Sequence, residues 1–225
     1  MENMNQIIFT IAQSLPGFLL AIVAHEAAHA WMALRFGDRT AQAAGRLTLN
    51  PAAHYDPWGT VLFPLLSAVT GFAVIGWAKP VPIDIRNFRQ MRKGIFWVSF
   101  AGPLANIVLG TLSAFLVALS ATQLSPDFSY YTVLIAMLKY SVFINFILAG
   151  FNLIPLPPLD GSKMVSAFLK GPALYKYESL AAYTPMIFMG TLLLSFVGIH
   201  TIGYLLMPAQ WAGQFLIFAF YQLMG

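Results

Sequence analysis

Apolar residues dominate the chain in long blocks, and polar residues are confined to the gaps between them. Five blocks are long enough to cross a bilayer, which takes about 20 residues as helix. They run from about 7 to 34, 95 to 121, 131 to 154, 180 to 199 and 205 to 224. The last two are expected to form a hairpin turning near Gly198–Gly203, because no Asp, Glu, Lys or Arg follows Glu178. A sixth block, 58–77, is apolar but broken by Pro64, Gly71 and Gly76. Basic residues settle its path. Arg35, Arg39 and Arg46 precede it, and Lys79, Arg86, Arg89, Arg92 and Lys93 follow it. Basic loops stay cytoplasmic, so 58–77 is expected to re-enter or lie shallow. The loop 122–130 has no Lys or Arg and faces outward, while Lys163, Lys170 and Lys176 return to the cytoplasm. The stretch 40-TAQAAGRLTLN-50 alternates weakly and reads as a short β-hairpin beside the first span.

Composition agrees with this pattern. Hydrophobic residues make up 59% of the 225 and charged ones only 9%, against about 25% charged in a soluble domain. The predicted fold is therefore an all-α membrane protein, a polytopic helical bundle of about five to six transmembrane segments. It forms a single domain over 1–225, with a catalytic core at about 7–170 and a C-terminal hairpin at about 178–225. The N-terminus, MENMNQIIFT, lacks the basic start of a cleavable leader and is expected to belong to the mature chain. The net charge of +4 sits between apolar segments, where it sets topology, so no nucleic-acid partner is expected. With no cysteine, any metal must be held by His and carboxylates.

The first span carries 21-AIVAHEAAHAW-31. Ionisable groups inside hydrocarbon are costly and call for a function. On a helix, His25 and His29 stand one turn apart on one face and can turn both rings to a single ion. Glu26, one step round, reaches a water on that ion without ligating it. This is the mechanical content of H-E-x-x-H. The alternative, satisfied core residues, is weak within an apolar span because Glu26 would need a partner there. A catalytic zinc takes three protein ligands. Asp160, in 151-FNLIPLPPLDGSK-163, directly follows a span that Pro155, Pro157 and Pro158 break. Predicted topology puts it on the same side as His25 and His29, although a plain Asp–Gly turn would look the same.

Asn145 and Asn152 are seven residues apart on one helical face. Asn145 reads as interhelical glue. Asn152 is open between glue and an oxyanion-stabilising amide. Gly102, Asn106 and Gly110 recur every fourth residue as a small-residue packing face. His54, in 50-NPAAHYDPWGT-60, is as well explained by a local hydrogen bond as by a site role.

HEAAH in a first span with FNLIPLPPLDG after a later one resembles the site-2 protease family of intramembrane zinc metalloproteases. GWAKPVPIDIRNFR (76–89) and AGPLAN (101–106) resemble its compact prokaryotic branch. The resemblance covers roughly 15–170. It implies one Zn2+ per chain on His25, His29 and Asp160, Glu26 as catalytic base, and Asn152 placing the scissile carbonyl. It also implies a site-lining role for His54, within an H-x-D-P-x-G-T element. There is no room between the spans for a PDZ domain and no CBS domain at the end, so regulation as in larger members does not transfer. The expected protein is a metalloprotease of a prokaryotic inner or plasma membrane, with its site toward the cytoplasm. It would cut a single-span membrane protein or peptide within the lipid bilayer. An edge at 40–50, or the 58–77 segment, would hold the unwound substrate by strand addition. The alternative is a non-proteolytic metal-binding membrane protein, a zinc carrier or pseudoprotease scaffold. A carrier needs ionisable groups at several depths, and here one deep site stands alone.

Overall fold

The computed structural model describes residues 2–62, 65, 76–199 and 201–224. Among the described residues, four helices are long and apolar enough to cross a membrane: α1 (Glu2–Arg35), α3 (Met91–Gln123), α4 (Tyr131–Asn152) and α8 (Thr201–Met224). α1, α3 and α4 pack against one another, and α8 lies on α3 and α4. Phe18, Ala21, Ile22 and Val23 of α1 meet Ile144 of α4 in one core. Ala114 and Val117 of α3 meet Val142 and Phe146 of α4 in another, which Ala209 and Leu216 of α8 cover. Missing side chains set the spacing. A β-carbon on Gly110 would lie 2.8 Å from the Phe146 ring, and one on Gly213 would lie 2.9 Å from Val142. Leu20, Val108, Leu112, Phe143, Leu205 and Phe215 point outward and are exposed, as expected where lipid is the solvent.

The short elements lie at the end of the bundle where α1 and α4 finish. α2 (Thr40–Ala43) is a single helical turn. A 3₁₀ turn follows at Pro51–His54, and a π-helical turn at Pro57–Leu62. The segment from Gly76 to Asp84 has no regular structure and crosses this end as a strap. Neighbouring loops anchor it: Trp77 N–H donates to Gly59 O at 3.1 Å and Lys79 N–H to His54 O at 3.0 Å. The Arg46 guanidinium donates to the carbonyls of Lys79 and Pro80. After α4 the proline-rich turn leads into α5 (Asp160–Ser166) and α6 (Gly171–Glu178), and then α7 (Thr184–Phe196).

Two expectations need correction or completion. The hairpin predicted at 40–50 is absent, and no strand occurs among the described residues. Instead Thr40 N–H donates to the Asp38 carboxylate at 3.0 Å, which starts one turn of helix. Gly45, with φ of +68°, ends it, and Arg46 N–H closes back on Ala41 O at 2.9 Å. Alanine-rich sequence between an Asp and a left-handed Gly prefers this turn to an extended edge. The block at 180–199 contains α7, whose 13 residues reach about 20 Å, short of the ~30 Å hydrocarbon core. Most of 58–77 lies outside the described residues, and its re-entrant path with it.

Candidate metal centre and catalytic site

His25 and His29 lie near the end of α1, a turn apart on its inward face. Both are buried, at 8% and 6% exposure, as is Asp160 at 5%. His25 Nε2 lies 3.1 Å from Asp160 Oδ2, His29 Nε2 lies 3.2 Å from the same oxygen, and the two Nε2 atoms are 3.0 Å apart. Three donor atoms thus form a nearly equilateral triangle, drawn from positions 25, 29 and 160.

That triangle fits zinc. Bonds of about 2.0–2.2 Å in a tetrahedral site set ligand atoms roughly 3.3–3.5 Å apart, only slightly wider than these edges. Protonation also fits. His29 Nδ1 lies 2.6 Å from the Val98 carbonyl oxygen. A carbonyl only accepts, so Nδ1 carries the proton and Nε2 of the neutral ring presents a lone pair. Lone pairs and a carboxylate oxygen converging at this range repel each other unless a proton or a metal cation stands among them. His, His and Asp are a zinc ligand set with a position left for water.

Local sequence explains how each of the three donor side chains arrives. Pro155, Pro157 and Pro158 prevent α4 from continuing, so the chain turns and restarts at Asp160. Gly161 permits the return. A β-carbon there would lie 2.3 Å from Leu153 O, so only glycine brings α5 this close to the end of α4. Asp160 Oδ1 is 3.4 Å from Lys163 Nζ, an exposed partner that steadies the carboxylate only weakly. Gly102 does the same for α3. A β-carbon on it would stand 2.5 Å from His29 Nε2 and 2.6 Å from His25 Cε1.

Glu26 is half-buried, and its Oε2 accepts a 2.8 Å hydrogen bond from the backbone N–H of Val81 in the strap. Glu26, both histidines, Asp160 and Asn152 line one cavity of about 730 Å³. Its wall is apolar at Ile22, Val81, Leu148 and Phe151, and Lys163 and Glu178, both exposed, also line it. Asn152 donates one amide N–H to Leu148 O at 3.0 Å, within its own helix. His54 stands apart from this cavity. Its Nε2 lies 2.9 Å from Thr48 O, the ring is 1% exposed, and its carbonyl holds the strap through Lys79. The Asn50-capped 3₁₀ turn aims it inward at its own loop.

Sequence reasoning passed over Val98, Gly102 and Asn106 as site residues. Asn106 Oδ1 lies 2.7 Å from His25 Nδ1. Gly102 and Asn106 belong to the small-residue face read from the sequence, and Val98 lies one turn before it on α3. A polar residue in that face was the signal, because packing alone asks for none.

Known proteins match this chain. Residues 127–194 match the family described as Peptidase family M50. The chain is 37% identical over 172 residues to the protein named "Putative zinc metalloprotease YwhC" from Bacillus subtilis, covering 76% of this chain and 75% of that one. Rip2 of Mycolicibacterium smegmatis bears the same description and is 35% identical over 148 residues, 65% of this chain and 53% of its own length. Rip2 of Mycobacterium tuberculosis is 32% identical over 157 residues, with 69% and 57% covered. No solved structure matches the chain. A relative this similar over three quarters of both sequences, together with the family match, settles kinship: the chain belongs to peptidase family M50, the site-2 protease family, and is an integral membrane zinc metalloprotease.

Proposed function

We propose that this protease hydrolyses a peptide bond within or near the transmembrane helix of a single-span membrane protein. One zinc per chain is held by His25, His29 and Asp160, and Glu26 is the general base. The observation that carries the reading is the donor triangle of 3.0–3.2 Å edges opening into the same cavity as Glu26. Zinc in that position supplies Lewis acidity, acidifying water and polarising a carbonyl. The chain supplies the rest. Val81 N–H holds one oxygen of the Glu26 carboxylate. The other has no hydrogen-bond partner among the described residues, and it takes the proton of the attacking water and returns it to the leaving amine. Asn152 spends one of its two amide protons on Leu148 O, and the second is the donor we assign to the scissile carbonyl oxygen. His54, set apart from this cavity, supports the strap through its carbonyl, which accepts from Lys79 N–H.

The substrate must unwind locally, because an intact helix hides its carbonyls in i→i−4 hydrogen bonds. The largely apolar cavity wall suits such a segment, and the exposed Lys163 and Glu178 offer water a polar route. Basic loops on both sides of the strap favour a cytoplasmic site in a prokaryotic inner membrane. The test is cleavage of a panel of single-span substrates by the purified protein, with and without chelator. Glu26→Gln keeps its zinc and loses cleavage, by about 10²–10⁴-fold, whereas His25→Ala loses zinc. Full cleavage by Glu26→Gln removes the base, and unchanged zinc in His25→Ala removes the ligand.

A further inference from the structure

We infer that Asn106 and Asn145 are positioning residues that fix which ring nitrogen of His25 carries the proton, and so aim its lone pair at the metal position. Amide and imidazole orientations follow here from groups whose polarity is not in doubt. The Ser141 carbonyl can only accept, and the amide atom of Asn145 facing it at 2.9 Å must be Nδ2. Asn145 Oδ1 therefore points at Asn106, 2.9 Å away, and the atom it meets must be Asn106 Nδ2. A second carbonyl, Ala21 O, independently demands Nδ2 at 3.0 Å. Both amide protons of Asn106 are then used, and only Oδ1 is left for His25 Nδ1 at 2.7 Å. An oxygen acceptor on that side makes Nδ1 the donor. Nε2 of the neutral ring is left unprotonated, 3.1 Å from Asp160 Oδ2.

The relay spans α1, α3 and α4, and both asparagines are fully buried, at 0% exposure. Water cannot supply substitute partners, so the polarity set by two backbone carbonyls reaches the ring without competition. α3 thereby orients both imidazoles, His29 through the Val98 carbonyl and His25 through Asn106, on either side of Gly102. Interhelical glue alone would be satisfied by Asn106 turned either way. The observed arrangement admits one orientation.

This inference rests on the reading of His25 as a ligand, and its readouts keep the two apart. Nitrogen-edited NMR of histidine-labelled, metal-free protein, at a pH where the ring is neutral, reports the tautomer directly. The expected result is protonated Nδ1 and bare Nε2 on His25, with or without a role in binding zinc. In Asn106→Leu the preference is lost, and zinc binds about 10–100-fold more weakly in a competition titration. A protonated Nε2 in the metal-free wild type, or wild-type zinc affinity in a folded Asn106→Leu, overturns the inference. Where Asn106→Leu does not fold, the wild-type tautomer decides alone. Zinc retained in His25→Ala would instead remove the ligand assignment and leave the tautomer result standing.

Discussion

Glu26 and Val81 are 55 residues apart in sequence, yet the strap's backbone N–H meets the glutamate carboxylate at 2.8 Å. This ties the proposed base to a loop rather than to the metal helix alone. Val81 sits between Pro80 and Pro82, so its N–H is the only backbone donor in that tripeptide. Val81→Pro should leave zinc content intact and lower kcat by about 10–100-fold, the worth of one hydrogen bond to a charged group. Steady-state kinetics beside metal analysis checks this. Wild-type kcat in Val81→Pro would show that the contact does not orient the base.

Gly102→Ala should cost the protein its metal. The added methyl would stand 2.5 Å from His29 Nε2, inside any real contact distance. Either α3 moves away or the imidazole turns, and both break the triangle. The expectation is at least a tenfold loss of zinc affinity, with the helix content by circular dichroism unchanged. Normal zinc binding in Gly102→Ala would mean that α3 does not crowd the ligands.

Gly161→Ala tests the return of the chain at Asp160. Its β-carbon would meet Leu153 O at 2.3 Å, and a backbone carbonyl cannot swing aside as a side chain can. A destabilisation of about 1–3 kcal/mol is expected, read as a lower Tm in detergent, together with reduced zinc occupancy. An unaltered Tm would refute the close approach.

Asp38 gives a pH dependence. Its carboxylate is buried, which alone would raise its pKa. The Thr40 hydroxyl, Asn87 Nδ2 and the N–H groups of Asp84 and Thr40 all donate to it, and together they hold it below the ordinary carboxylate range. A pKa lowered on folding adds stability above the unfolded value, near 4. That stability drains away as pH falls through the folded value. Thermal melts from neutral pH down to about 3 should therefore show a stability loss in the wild type that is smaller in Asp38→Asn. The variant itself should melt lower at neutral pH, because Asp38 joins α2 to the strap. An equal acid sensitivity in both would assign the effect elsewhere.

Periodicity and composition made the spans legible. α3 and α4 follow the predicted blocks closely, since a bilayer-crossing helix must be apolar over its whole length and no other structure satisfies its backbone there. HEAAH was legible for the same kind of reason: helical geometry alone puts residues 25 and 29 on one face. The 40–50 turn was misread because four polar–apolar steps carry too little period to tell a strand from a capped helical turn. Asn145 was read as glue and Asn106 as part of a packing face, although the pair ends on His25 Nδ1.

The amino-acid sequence by itself determined the membrane class, the metal motif on the first span and the proline-broken segment that delivers Asp160. These depend on local spacing and on burial energies that act residue by residue. Only the tertiary structure decided that Asp160 reaches His25, that Gly102 and Gly161 stand where no β-carbon fits, and that Val81 and Asn106 meet Glu26 and His25. Each of those is a contact between residues tens of positions apart, made by how helices pack, and packing leaves no repeating mark along the chain.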